Sequence, residues 1–387
     1  MATLHLDSLH IKGFRMFEQL EIPQLQRVNL LVGRNNTGKT SVLEAIYLYA
    51  NRGNPTVMLE LLRRRGEASA RNPRRSSQRY DLPPDEYGQE MLDDLRYMFC
   101  HRPNIREQTA NLQIGAIHPT DQALSIQLGL LPVTRTRTRS VRAGATHLDL
   151  DSDIMVDDIR EYAMAVGFAG RESIYPLYIL AEREGFLDDP IPLRQCVFLR
   201  TSGLSSVLAA EFWDNVALEP EFETYLLDGL RLIEPEIEAI AFIGDLSLPA
   251  ATRSGRRPII RLGGERIPLG STGEGMNRLL GILLALLNAR DGFLLIDEIE
   301  IGLHYTVQVE MWRLILTIAH RLNVQVFATT HSWDCIAALQ AAMAASRTAE
   351  GQLIRLQRRR SDPSQIQAVT YTAEEIQVVT QGDLEVR

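Results

Sequence analysis

Residues 33–40 read GRNNTGKT, and this stretch decides the fold of the chain. It fits the pattern G-x-x-x-x-G-K-T, in which the backbone N–H groups of a glycine-rich loop surround phosphate groups. Residues 27–32 (RVNLLV) predict a buried strand before the loop, and residues 39–50 predict a helix after it. Strand, loop and helix in this order point the helix N-terminus at the phosphates. The sequence therefore predicts a phosphate-binding loop, whose contact residues are Gly33, Asn35, Asn36, Gly38, Lys39, Thr40 and Ser41.

The lysine of this loop stands out in the composition. The chain has 41 basic residues, and all but Lys12 and Lys39 are arginines. A compact ammonium on a flexible stem reaches between the β- and γ-phosphates, where a planar guanidinium does not fit the same role. A lysine kept at this position supports the nucleotide interpretation over a chance match to the pattern.

Size and composition set further limits. With 387 residues and 45% hydrophobic residues, the chain is long enough for one large elaborated domain or two ordinary ones. The net charge of −8 means that any contact with nucleic acid must come from a local basic patch. Three scattered cysteines fit a reducing compartment, and we see no signal peptide and no apolar run that could span a bilayer. We expect a cytoplasmic protein without a membrane segment.

A second motif lies at residues 292–298 (GFLLIDE), where a short apolar strand ends in two carboxylates. Such a strand places its last residues at the carboxyl edge of a parallel sheet, beside the phosphate loop. We expect Asp297 to bind Mg²⁺ together with the hydroxyl of Thr40, and Glu298 to polarise the water that attacks the γ-phosphate. The simpler interpretation is a solvated strand end, which the phosphate loop upstream disfavours.

His331 follows a third predicted strand, at residues 324–329. A predicted helix at residues 305–321 connects this strand to the Asp297–Glu298 strand, so the two strands are expected to be parallel. His331 then lies at the same sheet edge as Glu298 and can sense the γ-phosphate or the attacking water. Otherwise it is an ordinary polar residue at a strand end.

Residues 269–278 (LGSTGEGMNR) form a Ser/Gly turn that leads into a predicted apolar helix at residues 276–287. Ser271 can cap this helix, and the glycines allow backbone N–H groups to approach an anion closely. On its own the segment is a well-capped helix start.

Along the chain these four elements follow one another as phosphate loop, Ser/Gly turn, Asp–Glu strand and His331, and in that order they resemble the ABC-type ATPase heads of the SMC, RecF and OLD (overcoming-lysogenization-defect) group. Residues 9–17 (LHIKGFRMF) are similar to the opening strand of RecF- and OLD-like proteins, and residues 297–304 (DEIEIGLH) to a run of the OLD-like branch. The resemblance implies an α/β fold: a P-loop NTPase of ABC-head type, with a mixed sheet, an antiparallel β lobe and a helical lobe.

The resemblance also assigns roles. It implies ATP and Mg²⁺ as ligands, with Lys39, Glu298 and the switch histidine His331 as catalytic residues. It places Ser271, Gly273 and Gly275 in a signature that contacts the ATP of the opposite protomer, so the active unit is a homodimer or a higher homo-oligomer. The sequence departs from the pattern of the OLD-like branch at Ile301 and Tyr305, in the run after Glu298. The family also has a Q-loop glutamine, for which Gln113, Gln127 and Gln195 are the candidates.

We expect one ABC-type head over residues 1–387. Within it, residues 1–155 form the phosphate-loop and antiparallel β lobe, with an arginine-rich insertion at 52–105, and residues 156–268 form the helical lobe. Residues 269–345 hold the signature, the Asp–Glu strand and the switch histidine, and residues 346–387 form a C-terminal strand and helix cap.

Two arginine-rich stretches, at residues 52–79 and 134–142, have three interpretations. They form a phosphate-backbone patch for nucleic acid, a solvated loop in an arginine-biased chain, or a basic loop that faces an acidic partner protein. Asp149, Asp151 and Asp153 alternate along the chain, and a nuclease metal cluster there is a minor alternative.

We expect an ATP-hydrolysing dimeric switch in anti-phage defence or DNA maintenance, with an effector protein encoded separately. One alternative is a RecF-like repair ATPase that binds DNA. Another is a slowly hydrolysing scaffold that holds an effector in its ATP-bound state.

Overall fold

A computed structural model describes residues 4–68, 84–118, 122–137, 155–182, 195–244, 256–345, 350–372 and 375–376. The second half of the arginine-rich stretch 52–79, most of 134–142 and the three alternating aspartates at 149–153 lie outside these residues. Strands and helices are numbered in chain order.

The central layer is a six-stranded sheet in the order β15-β14-β3-β13-β12-β8, in which all neighbours are parallel except β14 and β15. Short apolar runs such as FLLI form its middle strands, and these are buried on both faces, as expected for a parallel sheet covered by helices. The strands of this sheet are β3 (Val28–Val32), β8 (Cys196–Leu199), β12 (Phe293–Ile296), β13 (Gln325–Thr329), β14 (Gly351–Arg358) and β15 (Ile366–Tyr371).

A second, antiparallel sheet has the order β2-β1-β4-β5-β6-β7. Its strands are β1 (Leu9–Phe14), β2 (Phe17–Ile22), β4 (Ala110–Gly115), β5 (Leu124–Arg137), β6 (Met155–Phe168) and β7 (Arg171–Pro176). A third sheet of β9 (Ile237–Gly244), β10 (Arg256–Leu262) and β11 (Glu265–Pro268) is also antiparallel.

Helices cover both faces of the central sheet. The α-helices of the described residues are α1 (Lys39–Ala50), α2 (Pro55–Arg64), α3 (Pro84–Leu95), α4 (Leu177–Glu182), α5 (Ser206–Val216), α6 (Pro220–Leu230), α7 (Glu274–Asn288), α8 (Tyr305–Arg321) and α9 (Trp333–Ala344). Successive residues of a strand point to opposite faces, and β12 shows the result. Leu294 and Ile296 belong to the core formed with α7 and α8, whereas Phe293 and Leu295 belong to the core formed with α1 and the antiparallel sheet.

The described residues therefore form an α/β fold with a P-loop between β3 and α1, a mixed central sheet, an antiparallel β lobe and helices, as predicted. The helices predicted at residues 39–50 and 305–321 are confirmed. The described part of residues 156–268 contains strands β6 to β11 as well as helices α4 to α6, so that segment is mixed rather than purely helical. The division of the chain into lobes stays a prediction.

Candidate active site

The loop between β3 and α1 is shaped by two glycines. Gly33 has φ of +142° and Gly38 has φ of +90°, conformations that side chains with a Cβ rarely adopt. A Cβ on Gly33 would collide with the carbonyl oxygen of Leu356 in β14, and one on Gly38 would reach the ring of Phe17. Helix α1 begins at this loop without a side-chain cap and without an acidic residue in its first turn, so its N–H groups are free for an anion.

Lys39 folds back over the loop. Its Nζ donates to the carbonyl oxygens of Gly33 (2.7 Å) and Arg34 (3.2 Å), and the side chain is buried. Burial lowers the pKa of Lys39, while the nearby carboxylates of Asp297, Glu298 and Glu300 oppose that shift. The ammonium is therefore held at the mouth of the loop, where phosphates would replace the backbone carbonyls as its partners.

Thr40 and Asp297 meet across the sheet edge. The Thr40 hydroxyl lies 3.2 Å from both carboxylate oxygens of Asp297, and Asp297 also accepts a bond of 2.7 Å from the hydroxyl of Thr329. A hydroxyl and a carboxylate are oxygen donors of the kind that Mg²⁺ prefers. In nucleotide sites Mg²⁺ is typically bound by one or two protein oxygens together with phosphates and water. The donor set thus fits Mg²⁺.

Glu298 and His331 lie at the same edge, as the predicted crossover required. His331 Nε2 is 3.7 Å from Glu298 Oε1, and both side chains are about two-fifths exposed to solvent. Glu298 adopts the left-handed conformation, with φ of 49°, and its N–H donates to the Thr329 hydroxyl. The backbone N–H of His331 donates to Glu300, so the turns after β12 and β13 are joined. The catalytic roles of both residues stay predictions.

Arg278 is a residue of this region that the sequence argument missed. Its guanidinium donates to the backbone carbonyls of Asp297 (2.8 Å) and Glu298 (2.9 Å), and also to that of Arg200 (2.7 Å). Burial lowers its pKa, opposed by the carboxylates of Glu300, Asp297 and Glu298. A signal was available, because Arg278 is the only charged residue between Gly275 and Asn288 in an otherwise apolar helix.

The signature turn differs from its prediction in one respect. Residues 269–272 form a single 3-10 turn, and α7 starts at Glu274 with Gly273 as its N-cap, so the predicted capping by Ser271 is wrong. Ser271 and Gly273 are exposed instead. A Cβ on Gly275 would lie 2.6 Å from the carbonyl oxygen of Gly302, so the signature packs directly against the segment that follows Glu298.

None of the three Q-loop candidates lies at the carboxyl edge of the central sheet. Gln113 and Gln127 belong to the antiparallel sheet, and Gln195 precedes β8 at its amino end, where it donates to the Asn288 carbonyl. The residue that follows β8 at the carboxyl edge of the central sheet is Arg200. Its guanidinium carbon lies 4.3 Å from the centroid of the Phe198 ring. The strand β8 is thus followed by an arginine at this edge and not by a glutamine.

The described arginines of the stretch 52–79 have partners within the protein. Arg52 packs over the ring of Phe168, Arg64 pairs with Glu60, and Arg65 pairs with the buried Glu44 at 2.7 Å. A contact between this stretch and nucleic acid stays a prediction.

Within the described residues, no helix is long and apolar enough to cross a bilayer.

Comparisons with known proteins show what the chain is similar to. The chain is similar to an ATP/GTP phosphatase of Helicobacter pylori, with 23% identity over 339 residues and 86% of each chain covered. A segment of 45 residues is 51% identical to the DNA replication and repair protein RecF of Geobacter sulfurreducens, covering 12% of each chain. The crystal structure of an SMC head bound to the C-terminal winged-helix domain of ScpA aligns with a TM-score of 0.49 and 14% identity, over 96% of this chain and 99% of that one.

The profile of the AAA ATPase domain matches residues 5–94 and 209–336, which is more than half of the chain. The first match contains the phosphate loop, and the second contains the signature, Asp297, Glu298 and His331. The chain therefore belongs to the AAA ATPase domain family and is an ATPase.

Proposed function

We propose that this ATPase is a dimeric switch, in which two copies close around two ATP molecules and hydrolysis reopens them. The observation that carries the proposal is the exposed signature. Helix α7 has 15 residues and starts at Glu274, and its N-cap Gly273, whose φ is 106°, provides no side-chain cap. Its uncapped N–H groups and the exposed Ser271 would offer hydrogen-bond donors to a phosphate, next to the acidic Glu274 of the first turn.

The signature is complementary to the phosphate loop of a second copy. Two cavities border the phosphate loop, and signature residues line neither of them. One protomer thus offers Lys39, Thr40 and the α1 N-terminus to the phosphates, while its signature remains available for the ATP of another protomer. Each site is then complete only in the closed dimer, so that nucleotide state and assembly are coupled.

The residues of this chain divide the hydrolysis among them. Lys39 and the loop N–H groups bind the β- and γ-phosphates, and Thr40 and Asp297 would hold Mg²⁺, which neutralises charge on the phosphates. Glu298 accepts the proton of the attacking water as the bond between the γ-phosphorus and the bridging oxygen breaks, releasing ADP and phosphate. His331, 3.7 Å from Glu298, orients the water and the transferred group.

The biological setting that we propose is anti-phage defence or DNA maintenance, with a separately encoded effector protein. The motif order of the OLD and RecF group and the local similarity to a DNA replication and repair protein support this. ATP-driven closure would present or withdraw a surface for the effector.

The test is the mass in solution of Glu298→Gln by light scattering, with and without Mg-ATP. We expect the mass to double with ATP, since this variant binds but hydrolyses slowly, and we expect Ser271→Arg to prevent the change. Thr224→Arg, at an exposed position on α6, is the matched control and should dimerise normally. A mass that stays monomeric in Mg-ATP, or that doubles equally in Ser271→Arg, would contradict the composite site.

A further inference from the structure

A second cleft lies beside the phosphate loop, and the ATPase reaction leaves it unused. It has a volume of about 900 Å³ and lies between the loop and the turn that joins β14 to β15. Five arginines line it: Arg34 from the loop, Arg355 from β14, and Arg358, Arg359 and Arg360 from the turn. The parallel pairing of Arg355 with Val32 brings this turn next to the loop.

Most of this positive charge has no acidic partner. Among the described residues, no carboxylate lies within salt-bridge distance of Arg34, Arg358, Arg359 or Arg360. Asp362, in the same turn, accepts hydrogen bonds from Ser364, and these bonds together with the weaker effect of the Arg359 charge lower the pKa of Asp362. Other arginines of this acidic chain are paired, for example Arg27 with Glu350 and Arg321 with Glu221. The three arginines of the turn are exposed, so together they form a region of positive potential that attracts anions.

The turn holds two of these arginines in place. Arg358 donates to the carbonyl oxygen of Pro363 (2.6 Å), and Arg359 donates to the side-chain oxygen of Gln365 (3.0 Å). A guanidinium has five N–H donors, so each arginine keeps donors for a ligand after making one such bond.

The cleft adjoins the predicted site of the ATP phosphates at Asn35 and extends away from it on the other side of the loop. In the central sheet, β3 has β13 on one side and β14 on the other. Asp297 and His331 lie on the β13 side, where a smaller cavity of about 210 Å³ joins Gly33 to His331. The arginine cleft lies on the β14 side and shares only Arg34 and Asn35 with that cavity. A ligand in the cleft would therefore touch the outer side of the phosphate loop.

The chemistry of the cleft identifies its ligand. Arginine forks match phosphate oxygens, and the remaining polar lining groups, on Asn35, Gln357, Ser361 and Gln367, suit phosphate and sugar oxygens. The described lining has no aromatic side chain for base stacking, and its apolar member, Leu356, is buried. An acidic protein partner would need an apolar centre to its interface, which this surface does not offer.

We propose that the arginine cleft binds the phosphodiester backbone of a nucleic acid, without sequence preference. A single phosphate would leave most of the cleft empty. The proposal does not depend on the dimeric switch, because the whole cleft lies within one copy of the chain.

The test is fluorescence anisotropy with labelled single- and double-stranded oligonucleotides of mixed sequence, about 30 nucleotides long, at about 50 mM salt and without ATP. We compare Arg358→Gln/Arg359→Gln/Arg360→Gln with Arg171→Gln/Arg257→Gln/Arg290→Gln. The control removes the same charge from three exposed arginines elsewhere. The first variant should bind the oligonucleotide at least about tenfold more weakly than wild type. The slope of its log affinity against log salt concentration should be smaller in magnitude by about 2 to 3. The control should bind like wild type, and both should keep the wild-type melting temperature and basal ATPase rate.

Two additional measurements distinguish oligonucleotide binding by the cleft from the proposed dimeric switch, and a nucleic-acid ligand from an acidic protein. Lys39→Ala should lose ATP hydrolysis but keep the oligonucleotide affinity of wild type. The binding measurement therefore tests the cleft even if the proposed dimeric switch is wrong. Equal affinities of the two triple variants, or no binding by wild type, would overturn the proposal. Displacement of the oligonucleotide by polyaspartate at matched charge, as effectively as by unlabelled oligonucleotide, would replace it with an acidic protein ligand.

Discussion

Arg278 donates a hydrogen bond of 2.9 Å to the backbone carbonyl of Glu298, and the same nitrogen donates to the carbonyl of Asp297. The signature helix is thereby attached to the backbone of the two carboxylate residues at the active edge. Gly275, one turn earlier in the helix, packs against Gly302 in the following segment. A movement of the signature on meeting a second copy would therefore be transmitted to Asp297 and Glu298 of its own protomer.

Arg278→Gln should lower kcat by about a hundredfold while ATP affinity changes little, because it displaces Glu298 but not the phosphate loop. It should also cost about 1–3 kcal/mol in the free energy of unfolding, since buried carbonyls lose their donors. Steady-state kinetics and urea unfolding measure the two effects. Arg278→Lys should have a kcat and a stability between those of wild type and Arg278→Gln. Arg290→Gln, at an exposed position just after the end of α7, should behave like wild type. Unchanged kcat in Arg278→Gln would show that the attachment is not needed.

The pH dependence of nucleotide affinity should report Lys39. Because burial lowers its pKa below the ordinary 10.5, the ammonium is lost at a lower pH than that of a free lysine. ATP affinity should therefore fall with rising pH before 10.5 is reached. In the window between the two pKa values the unfolded chain binds more protons, so this group makes the stability of the ligand-free protein rise with pH there.

Lys39→Arg is the control for that titration, because its guanidinium stays charged throughout. Its affinity for ATP should be weaker but flat over the same pH range, as measured by equilibrium titration with a fluorescent ATP analogue. A parallel decline in both proteins would assign the pH effect to another group.

Thr40→Ala should raise the Mg²⁺ concentration needed for half-maximal hydrolysis by about tenfold or more, as expected from the 10–100-fold effects of even outer-shell groups. The variant also removes the 3.2 Å contacts with Asp297. Thr40→Ser keeps the hydroxyl and should need Mg²⁺ at nearly the wild-type concentration. Chelation of the metal should stop hydrolysis in all three proteins, and an identical Mg²⁺ requirement in Thr40→Ala would exclude the hydroxyl as a ligand.

Gly275→Ala should destabilise the protein by about 1–3 kcal/mol and slow ATP hydrolysis, because a Cβ would lie 2.6 Å from the Gly302 carbonyl oxygen. Gly270→Ala lies in the same signature region, where the nearest atom to a Cβ is 4.0 Å away, and it should be nearly neutral. Thermal unfolding and ATPase rates distinguish the two. Equal melting temperatures would mean that the segment after Glu298 relaxes freely.

The predictable parts of the site are those coded by contiguous residues. The loop at Gly33–Lys39, the strand before Asp297 and the helix between Glu298 and His331 each carry a local pattern, and the right-handed crossover then fixes their common edge. Arg200 and the arginine cleft could not be predicted in this way. Their positions follow from the pairing of β8 with β12 and of β14 with β3, and pairings between distant strands leave no periodicity in the sequence.

The pairing of β3 on both sides has a consequence for how the protein is made. Its neighbours β13 and β14 start about 300 residues later in the chain, at Gln325 and Gly351. At about 5–20 residues per second, the ribosome needs roughly 15–60 seconds to add them. During that time the apolar segment Val28–Val32 lacks both of its partners and is a natural target for chaperones. Nucleotide can be bound only late in synthesis, so ATP stabilises the finished protein rather than guiding the early stages of its folding.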